Sequence, residues 1–201
     1  MKNIPIFFGF LFCSLNSILG QNYLFKPNQS GPHLSIQYYN PGHQNTFVIN
    51  PGYTFNGRLT TGLIGSFSEG IFSYDKIYGG NASYMLIKEG IDMPFSLSID
   101  GSYLFGKYKT IDNKYNTLRL GPSIYKRIAL FKKLSLIPGF NMSHNWYTSD
   151  GHTFKYTDKY WTSSFQLTAL YNKFQITAST NKTINQNYVA ISVGFILPIK
   201  N

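Results

Sequence analysis

The sequence has few acidic residues and almost no cysteine. Among its 201 residues there are 8 Asp and Glu against 18 Lys and Arg, which gives a formal net charge of +10. The single cysteine, Cys13, lies near the N-terminus. A disulfide framework and a cysteine metal site are therefore excluded from the rest of the chain. No stretch after residue 21 reaches the roughly 18 apolar residues that a membrane-spanning helix needs.

The first twenty residues differ from the rest. A short basic start, a mostly apolar run and a small residue at Gly20 predict a secretory signal peptide over residues 1–20. Residues 21–32 are then a polar leader. An N-terminal transmembrane helix and a lipoprotein signal at Cys13 are the alternatives. The apolar run is short and broken, which argues against the helix, and the bulky Phe12 before Cys13 argues against the lipoprotein.

Apolar and polar residues alternate from residue 33 to residue 199. A period of two indicates extended strands. Asn56-Gly57 stands between two such runs and predicts a tight hairpin, because a type I′ turn needs positive φ at both central residues. Ten candidate strands result, at 33–39, 46–55, 58–67, 79–88, 94–106, 114–127, 133–146, 159–171, 174–181 and 187–199.

The connections between these strands fall into two alternating sets. The mostly tight set is 56–57, 89–93, 128–132 and 172–173, and the mostly longer set is 40–45, 68–78, 107–113, 147–158 and 182–186. Outer-membrane barrels have short periplasmic turns, longer outer loops and an even number of antiparallel strands. We therefore predict an all-β fold, an antiparallel up-and-down transmembrane β-barrel over residues 33–201. About ten strands are expected, with eight as the alternative.

The alternation alone does not separate a membrane barrel from a soluble exported barrel that binds an apolar ligand. The signal peptide, the long strands and the aromatic residues at strand ends favour the membrane, since aromatic rings prefer the headgroup level. The residues predicted to form this aromatic girdle are Tyr53, Phe55, Phe67, Tyr103, Phe105, Trp146, Tyr147, Tyr160, Trp161, Tyr171 and Phe174.

This pattern resembles the small outer-membrane β-barrel proteins of Gram-negative bacteria. The likeness covers nearly the whole mature chain but includes no specific motif. The last candidate strand alternates and contains Gly194-Phe195, but it ends in Ile-Lys-Asn and not in the terminal Phe of the group's assembly signal. The resemblance implies a porin-like barrel of eight to ten strands in the outer membrane.

The basic residues gather near the ends of hairpins. Two groups stand out, namely Lys107, Lys109 and Lys114, and Lys126, Arg127, Lys132 and Lys133. Strands leave the hydrocarbon at these places, so contact with outer-membrane lipid headgroups is expected and nucleic-acid binding is not.

A candidate catalytic set lies near one outer loop and contains Ser143, His144, Asp150 and His152. It could serve an outer-membrane enzyme that acts on lipid or peptide. Neighbouring residues on a strand point to opposite faces, which argues against a Ser143–His144 pair. The four histidines, which include His33 and His43, are too scattered to indicate a metal site, and no cofactor is expected.

Two charged residues have the polar parity of adjacent strands. If the 107–113 turn is centred near residue 110 or 111, Asp100 lies opposite residue 121 and diagonally beside Arg119. We predict a luminal ion pair, either as part of a filled interior or as a filter. The function predicted is that of a monomeric, non-enzymatic outer-membrane barrel with a structural or surface-interaction role or a minor passive diffusion path. An unknown surface ligand would bind at loops 68–78 and 147–158.

Overall fold

The computed structural model describes residues 24–40, 45–69, 74–108, 113–151, 155–183 and 187–200. The predicted signal peptide, His43 and His152 lie outside these ranges. Within them, no helix has the length and apolar character of a membrane-spanning helix.

The described residues form ten long strands and two short ones. The long strands are β1 (Gln29–Tyr39), β2 (Asn45–Phe55), β3 (Leu59–Glu69), β4 (Tyr74–Ile87), β5 (Ser96–Tyr108), β6 (Asn113–Tyr125), β8 (Leu134–Gly151), β9 (Lys155–Tyr171), β10 (Phe174–Lys182) and β11 (Asn187–Ile196). The short strands are β7 (Ile128–Phe131) and β12 (Ile199–Lys200).

The long strands close into a barrel. Each pairs antiparallel with the next long strand along the chain, and β1 also pairs with β11 through the register His33↔Ile196 to Tyr39↔Ala190. The short β7 pairs with β8, and β12 pairs with β1. The predicted antiparallel barrel is confirmed, with ten long strands in the described residues and not eight.

The Asn56-Gly57 hairpin forms as the sequence predicted. The two residues have φ of 49° and 61°, and Arg58 N donates to Phe55 O at 2.9 Å. Both φ values lie in the left-handed region that Asn and Gly tolerate best, so this turn matches the right-handed twist of its strands.

Several predicted boundaries are wrong at one end of the barrel. The loop predicted at 147–158 is mostly strand, because β8 runs to Gly151 and β9 begins at Lys155. The loop predicted at 68–78 is likewise mostly taken up by β3 and β4. Polar residues were assigned to loops there, but their inward and outward positions still alternate, and the backbone ladder needs no apolar side chain.

Two further boundaries are wrong at the other end. The barrel begins at Gln29 and not at residue 33, so the predicted leader 21–32 already contains the start of β1. The predicted turn 128–132 contains β7, and the chain reverses at 132–133.

The polarity of the two faces of the barrel wall is the reverse of that in a soluble protein, because apolar side chains point outward and polar ones point inward. On β9, Trp161 and Phe165 point outward and are 52% and 53% exposed, whereas Thr168 points inward and is fully buried. Outward apolar residues and an inward polar face recur on the other long strands. Water would be a poor solvent for such an exterior, and a closed barrel satisfies every strand edge in lipid. The fold is that of a transmembrane β-barrel.

The connections between strands are divided between the two ends of the barrel. The terminal end has the start of β1, the end of β11 and the turns at 56–58, 88–95, 126–133 and 172–173. The loop end has the remaining connections. In this class of barrel the terminal end is the periplasmic one.

Candidate functional site

The barrel interior is built in three layers. A polar middle layer lies between two clusters of buried apolar residues. The loop-end cluster contains Tyr39, Val48, Ile64, Ile77, Leu104, Tyr115, Tyr147, Tyr160, Tyr188 and Ala190. The terminal-end cluster contains Leu24, Phe25, Met85, Tyr125, Ile137, Leu170 and Ile196.

Asp100 is the buried acid of the polar layer. Its Oδ1 accepts hydrogen bonds from the hydroxyls of Ser83 and Ser98, and its Oδ2 accepts one from Ser123. The Ser98 bond is 3.1 Å long. These donors come from β4, β5 and β6, so one carboxylate ties three strands together. Hydrogen bonds to an ionised acceptor are among the stronger ones in proteins.

Arg119 lies where the register predicted. Asp100 pairs with Gly121 and Ser102 pairs with Arg119, so the two charged residues are diagonal neighbours on β5 and β6. Arg119 Nε donates a hydrogen bond to Asn145 Oδ1 at 3.2 Å. The predicted diagonal placement is confirmed. A direct ion pair between the two side chains stays a prediction.

The polar layer continues around the wall through amides and hydroxyls. Asn141 Nδ2 donates to Ser123 Oγ at 2.7 Å, and Ser143 Oγ donates to Asn141 Oδ1 at 2.7 Å. Asn145 Nδ2 donates to Thr162 Oγ1 at 3.2 Å. The network therefore connects β4 to β9 across the inward face of the wall.

The three candidate catalytic residues that the structure describes, Ser143, His144 and Asp150, do not assemble. Ser143 points into the lumen, whereas His144 points outward between Trp146 and Trp161, with ring centroids 4.3 and 4.9 Å away. Asp150 also points outward, and its Oδ2 lies 3.8 Å from Lys155 Nζ. The barrel wall thus separates the serine from the imidazole, as strand alternation requires.

No metal site forms in the part of the chain described here. Its His, Cys, Asp and Glu residues make no group of three or more that could hold an ion. His33 is buried near the terminal end, with its ring centroid 6.4 Å from that of Phe25. Its partner on β2, Gly52, leaves room for the ring, because a Cβ there would lie 2.4 Å from His33 Nε2.

Two of the predicted girdle residues lie inside the barrel. Tyr147 and Tyr160 are only 1% and 5% exposed and belong to the loop-end cluster. Each follows or precedes a tryptophan that points outward, so alternation forces the tyrosine inward. The prediction was wrong because it grouped adjacent aromatic residues without regard to parity.

The other girdle residues face outward, as predicted. The strongly exposed ones are Phe55, Phe67, Tyr103, Phe105, Trp161, Tyr171 and Phe174, while Tyr53 and Trp146 are partly exposed. They gather near the two ends of the wall, where headgroups meet the hydrocarbon.

A segment before β1 closes the terminal end. Leu24 and Phe25 are buried in the lumen, and their carbonyls accept hydrogen bonds from two cationic side chains. Lys88 Nζ donates to Phe25 O and, at 2.9 Å, to Gly57 O. Arg127 Nη2 donates a hydrogen bond to Leu24 O at 2.9 Å. We call residues 24–28 the plug segment. Apart from two apolar residues in a polar stretch, no sequence pattern predicts the plug segment.

Lys88 is held in an unusual environment for an ammonium group. It lies in the turn after β4, outside the strands. The pKa of Lys88 is lowered from its ordinary 10.5 to about 8, mainly by burial and also by the nearby charges of Arg127 and Arg58, while the charge of Glu89 acts in the opposite direction. Glu89 Oε2 also accepts a hydrogen bond from Arg127 N at 2.7 Å. The site is thus a compact charged clamp around the plug segment.

Comparison with known proteins finds no close relative. No protein-family model matches the chain, and no curated protein sequence matches it. Among solved structures, the β domain of the Bordetella autotransporter BrkA is 12% identical with a TM-score of 0.45, over 83% of this chain and 98% of that chain.

Two further solved barrels are similar to this one at the same level. The N-terminal barrel domain of Pseudomonas aeruginosa OprF is 11% identical with a TM-score of 0.38, over 85% of this chain and 98% of that chain. Ail of Yersinia pestis is 15% identical with a TM-score of 0.34, over 87% of this chain and 100% of that chain. Likeness at these identities concerns the barrel architecture and does not extend to function.

Proposed function

We propose that the protein is a non-enzymatic integral outer-membrane barrel with a closed lumen. Its role would lie in the structure of the envelope or in contacts at the cell surface. The observation that carries this proposal is the pair of apolar clusters that fill the lumen above and below the polar layer.

The side chains that pack in the lumen argue against a path for the diffusion of solutes through the barrel. The polar layer is itself packed, with Asn50, Arg119 and Thr168 almost entirely buried. A solute would have to displace both apolar clusters and break the Asp100 and Asn145 hydrogen bonds. Small barrels have interiors that side chains can fill, and this chain uses that capacity at three levels.

Planar-bilayer recording tests the closed lumen. The wild-type barrel should insert without a stable conductance, and heat-modifiable migration in gels should report its folded state independently. A variant with Phe25→Ala and Tyr147→Ala removes one large side chain from each cluster and should show channel events more often. A steady conductance of the folded wild type would overturn the proposal.

The separation of Ser143 and His144 supports the absence of an enzymatic role. We expect His144→Ala to leave the lipid and surface-peptide profiles of cells unchanged, with Trp161→Phe as a control for the neighbouring aromatic packing. Loss of a lipid or peptide modification in His144→Ala cells alone would revive the enzyme hypothesis.

Contacts at the surface would involve the loop end. The β8–β9 hairpin stands above its neighbour on one side, because β10 pairs with β9 only as far as Lys182↔Ser163 while β9 continues to Lys155. Cysteine placed at residue 155 by Lys155→Cys should react with a membrane-impermeant maleimide on intact cells. Cysteine placed by Lys173→Cys, in a terminal-end turn, should react only after lysis. The reverse result would show that the terminal end, and not the loop end, faces the cell exterior.

A further inference from the structure

Three lysines lie directly opposite one another on neighbouring strands at the loop end. Lys76 on β4 pairs with Lys107 on β5, and Lys107 pairs with Lys114 on β6. All three are exposed, and the residues next to Lys76 and Lys114, Ile77 and Tyr115, are buried in the lumen. The three side chains therefore share the outward face at one level. We call them the lysine row.

The spacing of the three lysines limits which anions can contact all of them. Like charges directly opposite one another on paired strands are destabilising. Neighbouring strands are about 4.8 Å apart, so the two outer lysines are separated by about 10 Å. One small anion would not reach across that width, whereas a ligand with two anionic groups would engage all three ammonium groups.

The surface below the lysine row is apolar and aromatic. The rings of Tyr78 and Phe105, one outward position nearer the membrane centre, have centroids 6.0 Å apart. Both are about half exposed. On β6, Asn116 pairs with Phe105, and Leu118, one outward position nearer the membrane centre, is 48% exposed. Aromatic residues of membrane barrels lie at the headgroup level, so the lysine row is at the height of lipid phosphates.

The flank of the row shows where the cationic surface ends. Lys114 pairs with Asp150 on β8, and the Asp150 carboxylate is already in contact with Lys155. Lys182, at the same end of the barrel, pairs with Asn187 and Ser163. Lys182 is exposed but has no lysine opposite it in either pairing, which makes it a suitable comparison.

We propose that the lysine row binds the phosphate groups of a doubly phosphorylated lipid, whose acyl chains lie along Tyr78, Phe105 and Leu118. The charge of the row and the apolar surface beneath it complement the two parts of such a lipid. This inference rests on the membrane-spanning barrel and is independent of whether the lumen is closed.

The test uses the full chain refolded in phosphatidylcholine vesicles. Binding of diphosphoryl lipid A is measured by its effect on the urea midpoint of unfolding, since a ligand of the folded state raises that midpoint. The variant Lys76→Gln, Lys107→Gln and Lys114→Gln should bind the lipid about tenfold more weakly, or worse, because it lacks the charge-assisted contacts. The control Lys132→Gln, Lys133→Gln and Lys182→Gln removes the same charge and should bind like wild type.

Three further measurements distinguish the outcomes. The urea midpoints of the row variant and of the control variant are first measured without the lipid, so that the shift caused by the lipid is compared and not the midpoint itself. Monophosphoryl lipid A should raise the wild-type midpoint less than the diphosphoryl form. Soluble pyrophosphate should compete poorly, since it lacks the acyl chains.

Equal lipid binding by the row variant and the control would overturn the proposal. So would full competition by pyrophosphate, which would indicate a site for free phosphate. If the triple variant does not fold, the single change Lys107→Gln at the centre of the row serves in its place. The wild-type conductance measurement is separate, so either proposal fails without the other.

Discussion

The two ends of the lumen are closed by different means. At the loop end the closing residues are tyrosines that belong to the strands themselves, and Tyr39–Tyr188 and Tyr115–Tyr147 lie with centroids 5.9 and 6.3 Å apart. At the terminal end the closing residues Leu24 and Phe25 come from outside the ladder. Polar contacts from Lys88 and Arg127 hold that segment in place.

The difference separates a fixed closure from a removable one. To open the loop end, the wall itself has to deform, because its tyrosines are fixed by strand register. To open the terminal end, a short segment has to leave, and the barrel ladder need not change. Local openings of this kind draw on elements with few regular hydrogen bonds to the rest of the fold.

The largest effect should come from the polar layer that both ends cover. Removing one charge of a buried pair costs about 3–5 kcal/mol, because the other is left in a low-dielectric site. Arg119→Met should therefore lower the free energy of unfolding by about that amount. The double variant with Asp100→Asn should lose less than the sum of the single changes. Strictly additive losses, measured by urea unfolding in vesicles, would show that the two charges are not coupled.

At the loop end, Tyr147→Ala should lower the free energy of unfolding by about 3–5 kcal/mol, as truncation of a large buried aromatic residue does. Tyr147 is 1% exposed and lies between Tyr115 and Tyr156. Tyr103→Ala, on the outward face, is the comparison and should lose less. Equal losses for the two would mean that the loop-end cluster is not a packed closure.

At the terminal end, Phe25→Ala should cost about 3 kcal/mol, the lower limit for such a truncation, because the plug segment can detach. Proteolysis of the folded barrel should become faster near the plug segment in this variant, while the strands stay protected. If cleavage spreads through the strands at the same rate, the plug segment is part of the ladder's stability and the contrast between the ends is lost.

The polar contacts that hold the plug segment should contribute less to the free energy of unfolding than the apolar residues of that segment. Lys88→Met removes the donor to two carbonyls, and a hydrogen bond to a charged group contributes about 1.5–3 kcal/mol. Lys126→Met, at an exposed position of the same end, is the matched control. A loss no larger than that of the control, in the same unfolding assay, would assign the closure to Leu24 and Phe25 alone.

The smallest effect concerns pH. The folded pKa of Lys88, about 8, is below its ordinary value of 10.5. Between these values the unfolded state binds more protons, so the free energy of unfolding rises with pH in this window, and the burial penalty is fully present below pH 8. The difference between wild type and Lys88→Met should therefore grow from pH 8 to pH 10.5. A flat difference would contradict the lowered pKa.

Parity in the sequence predicted most of the wall and the place of Asp100. Because the side-chain period of a strand is two, the pairing of Asp100 with Gly121 followed from the position of one turn. The same rule, applied to Trp146-Tyr147 and Tyr160-Trp161, would have placed both tyrosines inside. Residue type outweighed geometry in that prediction, since tyrosine is common both at membrane interfaces and in packed interiors.

The alternation of polar and apolar residues could not predict the plug segment or the length of the β8–β9 hairpin. Leu24 and Phe25 are too few to establish a hydropathy period. Their segment is held by Lys88 and Arg127, which are far away in the chain. The hairpin ladder continues through polar residues such as Ser149 and Thr157, whose backbone pairing leaves no mark in hydropathy.

The seam between β1 and β11 pairs residues that are far apart in the sequence. It joins the two ends of the chain, and contacts between such distant segments form slowly because loop closure costs entropy. Phe25 packs in a cluster with Ile196 of β11 and Leu170 of β9, so its site is complete only when the seam has closed. Contacts made after the rate-limiting step slow unfolding without speeding folding. We therefore expect the plug segment to prolong the lifetime of the finished barrel.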